Sequence, residues 1–253
     1  MDLEALKYYL PILFGEDKLV DDSEWGFTIE SGAPITKVGY ATNLVPETIE
    51  LAARDQVDLL ITHHDAWDFI HGMKTHCIED LRRHNMSHLF VHLPLDDADF
   101  GTNVSLLEGL GATVVERTHR DGAYSTGAIG EYGVPVDFDE LVRRMEGMLG
   151  EPVAAWRNHA RPIRRVGVVT GAGLSTHDVH EAVEKKCDVY ITGERVLYTV
   201  QYAKFAGINL LVGSHTFTEI FGVERLARRV QEAFPEIEII RIKEEHLETT
   251  SRR

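Results

Sequence analysis

From Thr36 onward the apolar residues fall into short runs separated by stretches of helical spacing. Thr36–Thr42 (TKVGYAT) predicts a strand. Pro46–Arg54 predicts a helix with Pro46 in its first turn, where the missing N–H would have no helical partner anyway. Val57–Thr62 (VDLLIT) is short, nearly all apolar and preceded by a helix, which marks a buried strand. A helix over about Lys74–Asn85, a strand over Leu89–Leu93 and a helix over about Asn103–Leu110 continue the pattern. Such alternation predicts a largely parallel sheet with helices on its faces. Upstream, Glu4–Leu13 has helical spacing stopped near Pro11, and Phe14–Pro34 has no clear period and is expected to be mostly loop.

After Gly111, strand-like Ala112–Glu116 leads into a polar loop at Thr118–Asp121 and a second strand-like piece, Ala123–Glu131. Phe138–Leu149 is amphipathic at helical spacing. The alternation then restarts at Arg164–Thr170. Ile35–Asn43 matches Ile163–Gly171, Glu50–Arg54 matches Glu181–Lys185, Asp58–His64 matches Asp188–Glu194, and Ser87–His92 matches Ile208–Gly213. Buried parallel strands share composition, so βα units resemble one another in any case. The repeated Ile-Thr at the end of the second strand and the matched order of units favour duplication. The expected fold is α/β: two similar, interlinked lobes with largely parallel sheets, residues 1–122 and 123–253. The boundary is approximate and leaves room for the C-terminal segment to pack on the first lobe.

Composition narrows the function classes. A net charge of −15 over 253 residues makes nucleic acid and anionic membrane poor partners. No apolar stretch is long enough to cross a bilayer. The first residues are acidic where a secretory signal is basic, so a cytoplasmic protein is expected. Cys77 and Cys187 lack a metal or redox spacing and read as reduced, buried thiols. Thirteen histidines are many for this length, and their positions matter more than their number.

Ligands of open parallel sheets collect beyond the carboxyl ends of strands. His63 and His64 follow the predicted strand Val57–Thr62, Asp96 follows His92-Leu-Pro-Leu, and His215 and Glu219 follow Asn209–Val212. A helix starting near Thr216 would bring the i, i+4 pair His215 and Glu219 together. His92, inside a strand, is accounted for by hydrogen bonds to neighbouring backbone. Imidazole nitrogen with carboxylate oxygen suits Zn, Mn or Fe(II). Three histidines and two carboxylates exceed the need of one tetrahedral ion, and a bridging carboxylate with two ions uses the surplus. Matched halves would bring all five to one cleft shared by the lobes.

These residues carry a resemblance. Asp58–His64, His92-Leu-Pro-Leu-Asp96, Gly101-Thr-Asn, Tyr190-Ile-Thr-Gly-Glu194 and Gly213-Ser-His-Thr-Phe-Thr-Glu219, with Gly222 behind, resemble the Nif-three-like family, whose members are often labelled GTP cyclohydrolase type-two homologues. The resemblance runs from about Thr36 to Phe234. It implies a two-metal site of His63, His64, Asp96, His215 and Glu219, two similar lobes and a toroidal homohexamer. There are departures. Ser23-Glu-Trp-Gly-Phe is a remnant of the family's Trp-Asp-Asn-x-Gly-Leu segment, and Asn43 stands where the family often has Asp.

Two functions follow. The first is a metal-dependent hydrolase of cyclohydrolase or phosphoester type, acting on a small molecule or nucleotide, with two divalent ions activating water. The repeat sets Gly193-Glu194 against His63-His64, which makes Glu194 a candidate general base, an acceptor orienting a ligating histidine, a sixth ligand or a helix cap. The second is a non-catalytic metal-binding or regulatory protein acting through protein–protein contacts. No P-loop is present, which argues against ordinary NTPase chemistry. Gly171-Ala-Gly is read as a tight turn.

Overall fold

Buried apolar strands flanked by amphipathic helices dominate the computed structural model, which describes residues 1–248. In chain order the elements are α1 (Leu3–Phe14), β1 (Trp25–Ile29), β2 (Lys37–Asn43), α2 (Pro46–Arg54), β3 (Leu59–His64), α3 (Met73–Arg83), β4 (Ser87–Val91), α4 (Leu93–Asp97), α5 (Thr102–Gly109), β5 (Thr113–Asp121), β6 (Tyr124–Val136), α6 (Phe138–Leu149), β7 (Ala154–Trp156), β8 (Ile163–Val169), α7 (Thr176–Glu184), β9 (Val189–Thr192), α8 (Leu197–Ala206), β10 (Asn209–Val212), α9 (His215–Ala233) and β11 (Glu238–Arg241). The fold is mixed α/β with two sheets. The chain forms two compact units, one of Met1–Gly101 with Gly222–Glu245, the other of Thr102–Phe221 with the residues from His246. Residue 122, the expected boundary, falls in the turn joining β5 to β6.

In the first unit the described residues build a five-stranded sheet of order β1-β4-β3-β2-β11. β4, β3, β2 and β11 run parallel, and β1 is an antiparallel edge. Leu44, Ile49, Ala52, Cys77, Leu81 and Ile242 belong to the core that α2 and α3 share with this sheet. Asp58 ties the start of β2: its Oδ2 accepts from the N–H groups of Thr36 (2.8 Å) and Lys37 (2.9 Å) and from the Thr36 hydroxyl (2.7 Å). The segment Phe14–Pro34 is not all loop, because β1 lies within it. Nor does α1 stop at Pro11. It runs one turn further and closes where Gly15 N–H reaches Pro11 O (2.9 Å).

In the second unit the sheet order is β5-β6-β8-β9-β10-β7. Among its described strands only β8, β9 and β10 are parallel; the pairs β5/β6, β6/β8 and β7/β10 are antiparallel. The largely parallel sheet expected here is therefore corrected to a mixed one. β5 and β6 are joined by only Gly122 and Ala123, a connection too short for a crossover, so that pair is antiparallel. The predicted loop Thr118–Asp121 is the end of β5, paired with β6. Asp188 repeats the role of Asp58, its Oδ2 accepting from the N–H groups of Arg164 (2.9 Å) and Arg165 (3.0 Å). Among the described residues no helix is long and apolar enough to cross a membrane.

Candidate metal-binding site

His63 and His64 are the last residues of β3, not residues beyond it, and both are buried. The apolar run ends at Thr62, but the ladder continues: Asn43 of β2 pairs with His64. The two rings turn toward each other, with centroids 4.5 Å apart. His63 Nδ1 donates to the Val91 carbonyl (2.9 Å), and His64 Nδ1 donates to Asn43 Oδ1 (2.9 Å). Each bond fixes the tautomer that leaves the lone pair on Nε2. His63 Nε2 lies 3.5 Å from Oδ1 of Asp96, which is buried on α4. His92 sits at the N-cap of α4 rather than within a strand. Its Nδ1 meets the Glu24 carboxylate at 2.6 Å instead of neighbouring backbone. His63, His64 and His92 form a group able to hold a metal ion, each offering one ring nitrogen within 4.8 Å of the others.

In the second unit α9 begins at His215, so His215 and Glu219 share its first turns. His215 Nδ1 is held by Glu194 Oε1 at 2.6 Å, and its Nε2 is 3.3 Å from Glu219 Oε1. Burial opposes charge on His215, but Glu219 and Glu194 outweigh it and push its pKa up to about 11. The same bond to His215 holds Glu194 below its ordinary value. Two carboxylates around one imidazole attract positive charge, and a divalent ion at Nε2 meets that demand as a proton does. The N-cap of α8 is Val196, not Glu194, and its N–H donates to the Thr199 hydroxyl (3.2 Å).

Glycines make this arrangement possible. Gly171 has φ +61°, and a Cβ there would stand 2.0 Å from Glu219 Oε1 and 2.8 Å from His215 Nε2. A Cβ on Gly193 would lie 2.7 Å from His215 Cα. Gly171 N–H donates to Thr218 Oγ1 (3.0 Å), which itself donates to the His215 carbonyl (3.0 Å). The Gly171-Ala-Gly turn thus cradles the ends of His215 and Glu219. Its spacing was visible in the sequence; its neighbour was not.

Within the first unit the imidazole donors of His63, His64 and His92 are of the kind that can hold a metal ion. His63, His64 and His215 present Nε2 with Nδ1 engaged, and buried carboxylates stand at Nε2 of His63 and of His215. A model of the DUF34/NIF3 family, described as Duf34/NIF3 (NGG1p interacting factor 3), matches residues 1–247. The chain belongs to this family. An Archaeoglobus fulgidus relative named GTP cyclohydrolase 1 type 2 homolog is 29% identical over 237 residues, covering 92% of this chain and 94% of its own. Among solved structures, protein ybgI, described as of unknown function, superposes with TM-score 0.85 at 23% identity, covering 97% of this chain and 99% of that one. A second, TTHA1606 from Thermus thermophilus, gives 0.80 at 23% identity, covering 98% and 100%. These two likenesses establish the family fold.

Proposed function

We propose that this protein binds two divalent metal ions through His63, His64, Asp96, His215 and Glu219 and acts as a metal-dependent hydrolase. The observation that carries the reading is that each of the three histidines has Nδ1 bonded to an oxygen acceptor, an arrangement in which Nε2 can take a metal ion. Two bound ions would supply Lewis acidity and lower the pKa of a water. The chain's own residues orient the imidazoles and exclude water from His63 and Glu219, which are buried. Of the roles open to Glu194, its 2.6 Å bond to His215 Nδ1 supports orientation of that histidine. The name GTP cyclohydrolase 1 type 2 homolog, carried by relatives, supports a nucleotide-like substrate. The parallel ties of Asp58 and Asp188, and the shared β-α-β-α-β order, support descent of the two units from one duplicated unit.

A second reading is a metal-binding regulatory protein that works through partner contacts, and the family description as an interacting factor favours it. Metal analysis of protein purified without chelator should give about two ions per chain. A screen of nucleotides, phosphoesters and small amides with that metal restored then separates the readings. A saturating value of one ion, retained in full by His64→Ala, would refute the two-ion site. A homohexamer is also proposed, and light scattering on the purified protein tests it.

A further inference from the structure

We infer that His92 is a further metal ligand, held in that role by Glu24. The inference rests on the metal-binding reading above and adds to its ligand set. His92 shares with His63 and His64 a group of ring nitrogens within 4.8 Å of one another. Two nitrogens on one ion, with bonds of about 2.1 Å, stand at most about 4.2 Å apart. The 4.8 Å is an upper limit on these separations, so closing onto one tetrahedral ion, where two such nitrogens stand about 3.4 Å apart, takes at most about 1.4 Å, within reach of side-chain rotation. Its ring centroid is 5.0 Å from that of His63 and 5.3 Å from that of His64.

The second observation is independent of that spacing. Glu24 Oε2 accepts from His92 Nδ1 at 2.6 Å, and the Glu24 carbonyl accepts the His92 backbone N–H at 2.8 Å. Side chain and main chain are both clamped by one residue. A carboxylate on Nδ1 fixes the tautomer with Nε2 as donor and makes that nitrogen more basic, the arrangement in which metal-bound histidines are found. The acceptors at Nδ1 of His63 and His64 are a carbonyl and an amide oxygen, so the carboxylate at Nδ1 sets His92 apart within this group. His92 is also the most exposed of the three, with 38% of its side chain open, so it forms the side from which an ion or a substrate arrives. A three-imidazole face selects first-row transition ions over magnesium or calcium.

Two variants of the full chain, His92→Phe and Glu24→Gln, test this after stripping and reloading with Zn(II) or Co(II) alone. Zn(II) affinity from chelator competition should fall about 10- to 100-fold in Glu24→Gln and further in His92→Phe. The visible d–d bands of the Co(II) protein should change in both. Wild-type affinity within twofold and an unchanged Co(II) spectrum in both variants would overturn the inference, even if both were less stable. If His92→Phe does not fold, Glu24→Gln alone decides by the same two readouts. A wild-type protein that takes up neither ion would overturn the metal-binding reading and this inference with it.

Discussion

Gly171→Ala perturbs the second unit's candidate ligands, His215 and Glu219, by the smallest possible change. Gly171 has φ +61°, a conformation that costs an L-residue roughly 1–2 kcal/mol. The new methyl would also sit 2.0 Å from Glu219 Oε1, where ordinary contact begins at 3.4 Å. The carboxylate must then retreat by more than about 1 Å, whereas ligand distances are held to about 0.2 Å. Gly207→Ala is the control. Its φ is +72°, and nothing lies within 4 Å of the added Cβ. Gly207→Ala should lose about 1–2 kcal/mol, or roughly 2–8 °C in Tm for a chain of this size, and Gly171→Ala at least as much, because its methyl also displaces the Glu219 carboxylate. Only Gly171→Ala should lose metal affinity, by at least about tenfold. Differential scanning fluorimetry and Zn(II) titration by calorimetry measure the two effects. Equal Zn(II) affinity in the two variants would refute the claim that Gly171 makes room for Glu219 as a ligand.

Asp58→Ala and Asp188→Ala each remove an acceptor shared by consecutive N–H groups, so each should destabilise the protein by about 1–3 kcal/mol in urea unfolding. Burial pushes both Cys77 and Cys187 up to about 12, so neither should react with a thiol-exchange dye at pH 8 until denaturant is added. Burial lowers the His88 pKa to about 4 despite the nearby Asp65 carboxylate. The folded state then binds fewer protons than the unfolded one, and stability is lost as pH falls from about 6.5 toward 4, by about 3 kcal/mol in all. His88→Gln should flatten the dependence of the urea midpoint over that range.

The chemistry of the candidate ligands was legible because His63 and His64 end an apolar strand, and Asp96, His215 and Glu219 follow a few residues after one. Asn209–Val212, Pro46–Arg54 and Phe138–Leu149 have the same bounds in sequence and structure. What the pattern missed was set by partners far along the chain. β1 is an edge strand whose five residues are all half-buried, so it carries no alternation to read. His63 and His64 look like loop residues because polar side chains end the apolar run, yet their backbone stays in the ladder opposite Asn43. Glu24 is 68 residues from the histidine it clamps, and Glu244 is 202 residues from the backbone it ties at Thr42. No local spacing encodes such contacts.

Asn43 shows how a departure from the family's usual residue fits this chain. The resemblance leads one to expect a carboxylate there, behind His64. The substitution Asn43→Asp would point carboxylate oxygens at Glu244, whose Oε1 is 2.9 Å from Asn43 Nδ2, and two carboxylates that close repel. An amide offers one face of each kind. Its oxygen accepts from His64 Nδ1, and its nitrogen donates to Glu244. Glu244 in turn accepts the Thr42 N–H (2.7 Å) and the Asn43 N–H (3.0 Å). Burial raises the Glu244 pKa, and these donors only partly offset it. The negative charge that would stand directly on His64 is thus set one residue further back, and the amide transmits its polarisation. Asn43 and Glu244 together supply the orientation that a single carboxylate supplies to His92 and to His215. With an amide rather than a carboxylate at Nδ1, His64 is less basic at Nε2 than His92 or His215.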